Sequence, residues 1–141
     1  MLSELIARIN WLSRNIGAGC GAVQTAEAAL QASFPEHYRD FLMQMDGGNG
    51  RTSLGENICF FSSRELPEIN AEACAAEFVP GWLIFASDLG GRSYLMRRDG
   101  DSESIMRCFD EELGEHALME EAKNLPDFLR KLGTPQRLPR G

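Results

Sequence analysis

The chain has 141 residues with 43% hydrophobic and 25% charged content, which is typical of a globular protein that buries an extensive core. Its 14 basic and 21 acidic residues give a net charge of -7. This balance argues against a general nucleic-acid binder and against a protein that binds anionic membrane surfaces, because proteins of both kinds need excess Lys and Arg. It permits a basic protein partner, since complementary charge speeds encounter. The length predicts a single domain over residues 1–141.

The N-terminus and the cysteines bear on where the protein works. Glu4, Arg8 and Arg14 interrupt the apolar run that a signal peptide needs, and the apolar stretch 79–86 is too short to span a bilayer. The four cysteines are widely spaced without a C-x-x-C pair: Cys20, Cys59, Cys74 and Cys108. We therefore expect reduced, mostly buried thiols in a cytoplasmic protein.

Two helices are predicted at the start of the chain. Apolar residues recur at helical spacing from Leu2 to Ile16, which predicts an amphipathic helix of about four turns. The glycines of residues 17–21 then break the pattern, so residues 1–21 are the expected N-terminal helix and its connection. Thr25 is a suitable N-cap for a second helix that runs to about Ala32.

The segment FPEHYRDFLMQMDGGNG, residues 34–50, predicts a third helix with a sharp start and stop. Pro35 suits the first helical turn, where its missing N–H costs nothing. Phe34 can pack back on the helix as a hydrophobic staple. Gly47 can take the left-handed conformation that closes a helix. One face of this helix is apolar, with residues at spacings of three and four: Tyr38, Phe41, Leu42 and Met45.

Antiparallel strands are predicted in the middle of the chain, after a loop at residues 47–57. The candidate strands are residues 58–61, 82–86, 93–97 and 104–109. The run 82–86 is continuously apolar, so we expect a central strand that is buried on both faces. A helix at residues 66–76 precedes this strand, and a hairpin turn at residues 99–100 joins the last two strands.

Helices are predicted again towards the C-terminus. Residues 113–125 place apolar side chains at helical spacing, and Pro126 starts a final helix that runs to Leu132. Residues 133–141 are expected to form a loose tail. Because helices flank a run of strands, the predicted fold class is α+β, a mainly antiparallel sheet of about four to six strands with helices packed against it.

Several of these segments together resemble the SUKH superfamily, which comprises yeast cell-wall-assembly regulators and many bacterial immunity proteins. The third helix is similar to the family's P-x-x-Y-x-x-F-L…N-G-G segment, and Glu27 stands at its upstream acidic position. Residues 64–96 resemble its helix, Pro-Gly turn, central strand and D-x-G-G-x-x-Y hairpin, and NLPDFLRKL resembles its closing helix. Asp46 departs from the pattern, because the family often has Asn there. The resemblance covers residues 22–132 of a single SUKH-like domain.

The resemblance implies a protein-binding function without catalysis, and we predict neither a cofactor nor a metal. The expected role is a cytoplasmic bacterial immunity protein that binds and neutralises a cognate toxin, often a nuclease. The net charge of -7 leads us to expect that this toxin is basic. A regulatory scaffold for endogenous host proteins is the alternative that the yeast relatives imply. A small hydrolase that uses Cys or His is a third hypothesis. Fold alone does not choose among the three.

Two glycine-rich segments partly match phosphate-binding loops. GAGCG at residues 17–21 is expected to follow a helix, whereas a dinucleotide-binding loop follows a strand and opens a helix. GGNGRTS at residues 47–53 lacks the G-K-[ST] ending of a phosphate loop. Both segments are therefore interpreted as connections, and no nucleotide cofactor is predicted.

The histidines and cysteines form no recognisable site in the sequence. His37 is expected to be solvated on the third helix, and His116 lies among glutamates on the predicted late helix. A metal site would need more donors at suitable spacing. A nucleophilic Cys–His pair stays open at this point, because such partners are adjacent only in the fold. The apolar surroundings of the cysteines favour inert thiols.

Two features are candidate partner-binding elements. The first is a sharp turn at residues 88–91, which is either a plain hairpin loop or an exposed edge that a partner contacts. The second is an acidic run, which is either a solvated helix face or a docking surface for a basic protein. On the predicted helix Glu111 and Glu115 share one face, where like charges cost roughly a few tenths of a kcal/mol. The candidate residues are Asp88, Gly90, Gly91, Asp110, Glu111, Glu112 and Glu115.

Overall fold

The computed structural model describes residues 2–9, 12–51 and 56–133 of the chain. Within these residues, a seven-stranded antiparallel sheet has its strands in chain order, β1 to β7. The helices are α1 Leu2–Arg8, α2 Cys20–Leu30, α3 Glu36–Gln44, α4 Leu66–Glu72, α5 Ala75–Phe78 and α6 Leu125–Gly133. The strands are β1 Ser13–Arg14, β2 Gly48–Arg51, β3 Asn57–Phe60, β4 Trp82–Ser87, β5 Arg92–Arg97, β6 Ile105–Phe109 and β7 Met119–Ala122. The predicted α+β class is confirmed, with seven strands in place of four to six.

Each face of the sheet carries its own hydrophobic core. On the first face, Leu83, Phe85 and Met96 pack against α1, α2, α3 and α6. On the second face, Ile84 and Leu95 pack against α5 and residues 113–118. The residues 83–86 of β4 are therefore at most 2% exposed, as the continuous apolar sequence of this strand predicted.

The third helix agrees with its prediction at its start but not at its end, because α3 ends at Gln44 and Met45 is extended, so Gly47 does not close the helix. α3 begins directly after Pro35 and buries Tyr38, Phe41 and Leu42 in the core of the first face. The Phe34 ring meets the Tyr38 ring edge-on at a centroid distance of 5.1 Å, which is the expected staple. The entry of the chain into α3 is thus fixed by apolar packing on the sheet.

The loop predicted at residues 47–57 is wrong in part, because it contains strand β2. β2 pairs with β1 on one side and with β3 on the other. Gly47 leads into β2 with a left-handed φ of 83°, and a Cβ there would lie 2.6 Å from the Phe60 carbonyl oxygen. A Cβ at Gly48 would lie 2.4 Å from the Ser13 carbonyl oxygen. These glycines permit close backbone approach but carry no strand pattern; residues 52–55 of the predicted loop lie outside the described residues.

The first two helices have different bounds from those predicted. α1 ends at Arg8, and Ile16 is 93% exposed in a later segment; residues 10–11 of the predicted helix lie outside the described residues. α2 begins at Cys20, so Thr25 lies inside the helix. Its hydroxyl donates to the Gly21 carbonyl oxygen at 2.8 Å, one turn back, and does not cap the helix.

The single helix predicted at residues 66–76 is two helices in the structure. Cys74 takes a left-handed φ of 56° between them, which ends α4 and starts α5 in a new direction. The change of direction packs Ala75 and Val79 into the core of the second face. Non-glycine residues rarely adopt this conformation, so no sequence pattern indicated the break.

The helix predicted at residues 113–125 is wrong. Two 3-10 turns, Asp110–Glu112 and Glu115–Ala117, lead instead into β7, which pairs with β6. Leu113 and Leu118 still reach the core of the second face, but from an irregular segment. Pairing with β6 has overridden the local helical spacing, because strand formation depends on the neighbouring strand.

The final helix is confirmed. Asn124 Oδ1 accepts a hydrogen bond from Asp127 N at 2.8 Å and caps the start of α6. Of the predicted tail, residues 134–141 lie outside the described residues. Within the described segments, no helix has both the length and the apolar composition that a membrane crossing requires.

Candidate protein-binding site

The turn between β4 and β5 is held by its own aspartate. Asp88 Oδ1 accepts hydrogen bonds from Gly90 N at 2.8 Å and from Arg92 N at 3.0 Å. Leu89 and Gly91 take left-handed φ values of 58° and 96°, which reverse the chain direction. Leu89 is 63% exposed at the tip. The turn therefore presents a leucine to solvent, and the Asp88 carboxylate fixes the geometry of the turn.

Hydrogen bonds join this turn to the acidic 3-10 turn Asp110–Glu112. Asp110 N donates to the Gly91 carbonyl oxygen at 2.7 Å, and Ser93 Oγ donates to Asp110 Oδ1. Glu111 and Glu112 follow, and both are exposed. The structure thus brings together all but one of the predicted partner-binding residues, from two segments that are distant in sequence. We call residues 88–91 and 109–112 the β4–β5 end surface.

Glu115 lies elsewhere, so the predicted helix face shared by Glu111 and Glu115 is wrong. A Cβ at Gly81 would lie 4.0 Å from Glu115 Oε1 and 3.6 Å from the Arg97 guanidinium, which places Glu115 at the opposite end of β4 and β5. The two ends of a six-residue strand such as β5 are about 17 Å apart. The predicted acidic run therefore does not form one continuous surface.

Two exposed aromatic residues lie near the acidic turn, and the sequence did not single them out. Phe109 is 56% exposed, and the Arg92 guanidinium carbon lies 5.1 Å from the centroid of its ring. Phe78, the last residue of α5, is 49% exposed. Phe109 ends an apolar strand and Phe78 precedes the apolar run 79–86, so hydrophobicity alone does not distinguish either from a core residue. Each of these phenylalanines has an acidic neighbour in the sequence, Glu77 before Phe78 and Asp110 after Phe109, and these neighbours are the local sequence signal that the rings are exposed.

A cleft of about 240 Å³ lies between α5 and the acidic turn. Its lining is mostly apolar, and two carboxylates carry its charge. The lining residues are Ala73, Phe78, Asp110, Glu111 and Leu113. Pockets for drug-sized ligands measure about 300–1,000 Å³. The cleft therefore has the size for a side chain of a partner, and it adjoins the β4–β5 end surface through Asp110 and Glu111.

The expectation of mostly buried thiols is wrong. All four cysteines are free, but only Cys108 is buried, whereas Cys59 is half-buried and Cys20 and Cys74 are exposed. Burial raises the pKa of the Cys108 thiol, and the nearby Asp110 carboxylate raises it further. Burial also raises the pKa of the Cys59 thiol. A raised pKa opposes thiolate formation, so neither environment favours a nucleophile.

The structure does not join a cysteine to a histidine. Across residues 2–9, 12–51 and 56–133, no histidine nitrogen hydrogen-bonds to a cysteine sulfur. Cys108 Sγ donates to the carbonyl oxygens of Phe109 and Glu112, and His37 Nδ1 lies 3.0 Å from Glu103 Oε1. In the same described residues, no three His, Cys, Asp or Glu side chains are grouped as metal ligands.

The glycine segment 17–21 follows strand β1 and opens α2, so the expectation that it follows a helix is wrong. The segment nevertheless packs against the end of α3. Ala18 N donates to the Leu42 carbonyl oxygen at 2.8 Å, and a Cβ at Gly17 would lie 2.0 Å from the Met43 carbonyl oxygen. Gly17 thus permits close backbone packing on α3, and we retain the interpretation as a connection.

The acidic residues noted in the family resemblance have structural roles. Glu27 Oε2 accepts hydrogen bonds from Phe34 N and from Arg39 Nη2, each at 2.9 Å, which joins α2 to the start of α3. Asp46 accepts from Ser63 N at 2.6 Å and from Ser63 Oγ at 3.1 Å, which joins the segment after α3 to the segment before α4. Both carboxylates therefore stabilise connections between elements.

Comparison with known protein families agrees with this fold. A family model described as SMI1 / KNR4 family (SUKH-1) matches residues 17–131. A search of curated proteins finds no match. The matched region extends from the connection before α2 into α6 and includes the whole β4–β5 end surface. The chain therefore belongs to the SMI1/KNR4 (SUKH-1) family, as the sequence resemblance predicted.

Proposed function

We propose that this chain is a non-catalytic, protein-binding immunity protein that neutralises a cognate bacterial toxin in the cytoplasm by direct binding. Membership of the SUKH-1 family supports a protein partner. The observation that carries the proposal is the β4–β5 end surface, where exposed Leu89 and Phe109 stand beside the carboxylates of Asp110–Glu112. Aromatic and apolar contacts within a polar rim are the usual anatomy of a protein interface.

An acidic surface suits a basic partner, and a nuclease toxin is one such partner. A nuclease binds phosphates through Lys and Arg, and the net charge of -7 on this chain attracts a cleft lined with those residues. The exposed carboxylates of Glu111 and Glu112 occupy the places of phosphate oxygens in the proposed complex. Binding then blocks the nucleic acid by steric exclusion and charge, without a chemical reaction.

The first test is a pull-down from lysate of the source organism at low and high salt, followed by mass spectrometry. We expect a basic, multidomain toxin that is retained at low salt and released at high salt. The Debye length falls from about 10 Å at 0.1 M to about 3 Å at 1 M, so charge attraction between exposed groups is lost. Capture of housekeeping proteins alone would contradict the immunity function.

Charge-reversal variants then test the surface on the isolated toxin. Glu111→Lys/Glu112→Lys changes the β4–β5 end surface, and Glu36→Lys/Asp40→Lys makes the same charge change at exposed positions of α3. We expect the first pair to weaken binding at least tenfold, about 1.4 kcal/mol, and the second to have an effect below about twofold. Equal weakening by both pairs would mean that net charge alone matters. Weaker toxin binding by Glu115→Lys would then show that the partner also contacts the far end of β5.

A regulatory scaffold is the second candidate function, and one observation favours it. Ile16 is 93% exposed and Met43 is 47% exposed. Both lie near the C-terminal end of α3, because Asp46 N donates to the Ile16 carbonyl oxygen at 3.3 Å. A scaffold needs more than one partner surface, and this apolar pair is separate from the β4–β5 end surface. Capture of an endogenous protein that is lost on Ile16→Ser/Met43→Ser would support the scaffold.

A further inference from the structure

The cleft beside the β4–β5 end surface combines an exposed aromatic ring with two carboxylates. Phe78 of α5 is 49% exposed, and Asp110 and Glu111 of the acidic turn line the same cleft. Ser93 Oγ donates to Asp110 Oδ1, which fixes this carboxylate and leaves its second oxygen as an acceptor. A flat apolar ring and negatively charged acceptors thus line one cleft of about 240 Å³.

The chain already holds one of its own arginines, Arg97, by this combination. The Arg97 guanidinium carbon lies 5.4 Å from the Trp82 ring centroid, and Arg97 Nη2 donates to Asp99 Oδ2 at 2.9 Å. Arg92 lies over Phe109 at 5.1 Å. A guanidinium favours such places because its plane stacks on a ring while its edge donates to a carboxylate. The ammonium of lysine has no plane to stack, so the cleft suits arginine better.

We propose that this cleft binds an arginine side chain from an exposed loop of a basic protein partner. The guanidinium stacks on Phe78 and donates to Asp110 and Glu111, while the aliphatic stem lies against Ala73 and Leu113. The net charge of -7 supplies the complementary attraction. The inference rests on the proposed protein-binding function and deepens it, because it names the residue type that anchors the partner.

The test is a titration followed by ¹⁵N–¹H NMR with Nα-acetyl-arginine amide as the probe. Matched probes are Nα-acetyl-lysine amide, which keeps the charge, and Nα-acetyl-citrulline amide, which keeps the planar shape without the charge. We expect saturable shifts at the amides of residues 73, 78 and 110–113. Arginine should bind at least threefold more tightly than lysine and at least tenfold more tightly than citrulline. Equal binding of arginine and lysine, or shifts spread over all acidic residues, would overturn the proposal.

Substitutions test separately how much the Phe78 ring and the two carboxylates contribute to arginine binding. Phe78→Leu keeps an apolar wall without a π face, and we expect arginine binding about fivefold weaker, since a cation–π contact contributes about 1 kcal/mol. Glu111→Gln should weaken it about threefold, and Asp110→Asn/Glu111→Gln about tenfold. The matched control Glu36→Gln/Asp40→Asn on α3 removes the same charges and should leave binding unchanged. Unchanged binding in Phe78→Leu with a dispersed native spectrum would overturn the stacking arrangement.

The NMR titration tests the cleft assignment and the pull-down tests the proposed function, so either can fail without the other. A chain that captures its toxin but shows no arginine-specific shifts overturns the cleft assignment and leaves the proposed function standing. Arginine-specific shifts in a chain that captures housekeeping proteins alone support the cleft assignment, while the proposed function fails. In an isolated complex, Phe78→Leu should also raise the dissociation constant at least fivefold; an unchanged constant would contradict the cleft as the anchor for this partner.

Discussion

Asn70 provides the sharpest test of how this fold is held together. Strand β3 pairs with β4 only at Ala86 and Ser87, so the backbone of Ile84 lies beyond its reach. Asn70, 5% exposed on α4, takes the place of the missing strand. Its Oδ1 accepts from Ile84 N at 2.8 Å, and its Nδ2 donates to the Ile84 and Leu66 carbonyl oxygens, each at 2.9 Å.

We expect Asn70→Ala to lower the free energy of unfolding by about 3–4 kcal/mol. The substitution leaves Ile84 N–H and C=O buried without a partner, and each orphaned backbone group costs about 1–3 kcal/mol. Asn70→Leu restores the side-chain volume without the hydrogen bonds, so it should be nearly as destabilising as Asn70→Ala. The measurement is urea unfolding followed by circular dichroism, with the midpoint shifted and the slope unchanged.

Two outcomes would refute this reasoning. A Leu variant within about 1 kcal/mol of the original chain would show that packing volume, and not backbone satisfaction, explains the role of Asn70. The matched control is Asn49→Ala, at an exposed position of β2, where we expect a change below about 0.5 kcal/mol. A similar loss in both variants would mean that Asn70 has no special role at β4.

Four further predictions concern stability. Glu27→Gln should cost about 1–2 kcal/mol in urea unfolding by weakening the bonds to Phe34 N and Arg39, with Glu36→Gln within about 0.5 kcal/mol as its control. Gly47→Ala should cost at least about 2 kcal/mol, because φ is 83° and the added Cβ would lie 2.6 Å from the Phe60 carbonyl oxygen; no loss would contradict this geometry. Tyr38→Phe should leave stability unchanged or raise it by up to about 1 kcal/mol, since no described residue hydrogen-bonds to the buried Tyr38 hydroxyl; a loss above about 1 kcal/mol would indicate a partner. Burial raises the pKa of the Cys59 and Cys108 thiols above the ordinary 9.0. Because the same thiols ionise at lower pH in the unfolded chain, the free energy of unfolding falls as the pH rises past about 9. Between about pH 8 and 10, the urea midpoint of Cys59→Ala/Cys108→Ala should therefore fall less than the midpoint of the original chain.

The elements that the sequence predicted are those whose cause is local. α3 has an apolar face at helical spacing together with Pro35 at its start, and β4 is a continuous apolar run. β2 and β7 have no such local cause. The sequence of β2 is Gly-Asn-Gly-Arg, which has no strand pattern, and β7 lies in a segment whose apolar residues recur at helical spacing. Both become strands because a neighbouring strand offers backbone partners, and that information is not present in a short window of sequence.

The candidate site was predictable in part for the same reason. The sequence predicts a turn at Asp88, Gly90 and Gly91, and it places Asp110 in a run of acidic residues. Their contact through Asp110 N and the Gly91 carbonyl oxygen depends on the pairing of β5 with β6, which the sequence indicated only coarsely. Phe78 was missed because its exposure follows from the left-handed break at Cys74, which redirects α5.

The family features and the proposed binding features occupy different parts of the molecule, and this separation has a physical consequence. Glu27 and Asp46 bond to backbone and side-chain groups of connections next to α3, so their replacement costs stability. Glu111 and Glu112 are exposed at the far end of β4, and substitutions at such exposed positions change stability by about 0.5 kcal/mol or less. The exposed carboxylates of Glu111 and Glu112 can therefore change at little cost to the fold, whereas Asp88 and Asp110 hold the β4–β5 end surface together through hydrogen bonds. Under the proposed function, such a fold exchanges one partner for another by changing the exposed residues of this surface while it keeps the two aspartates.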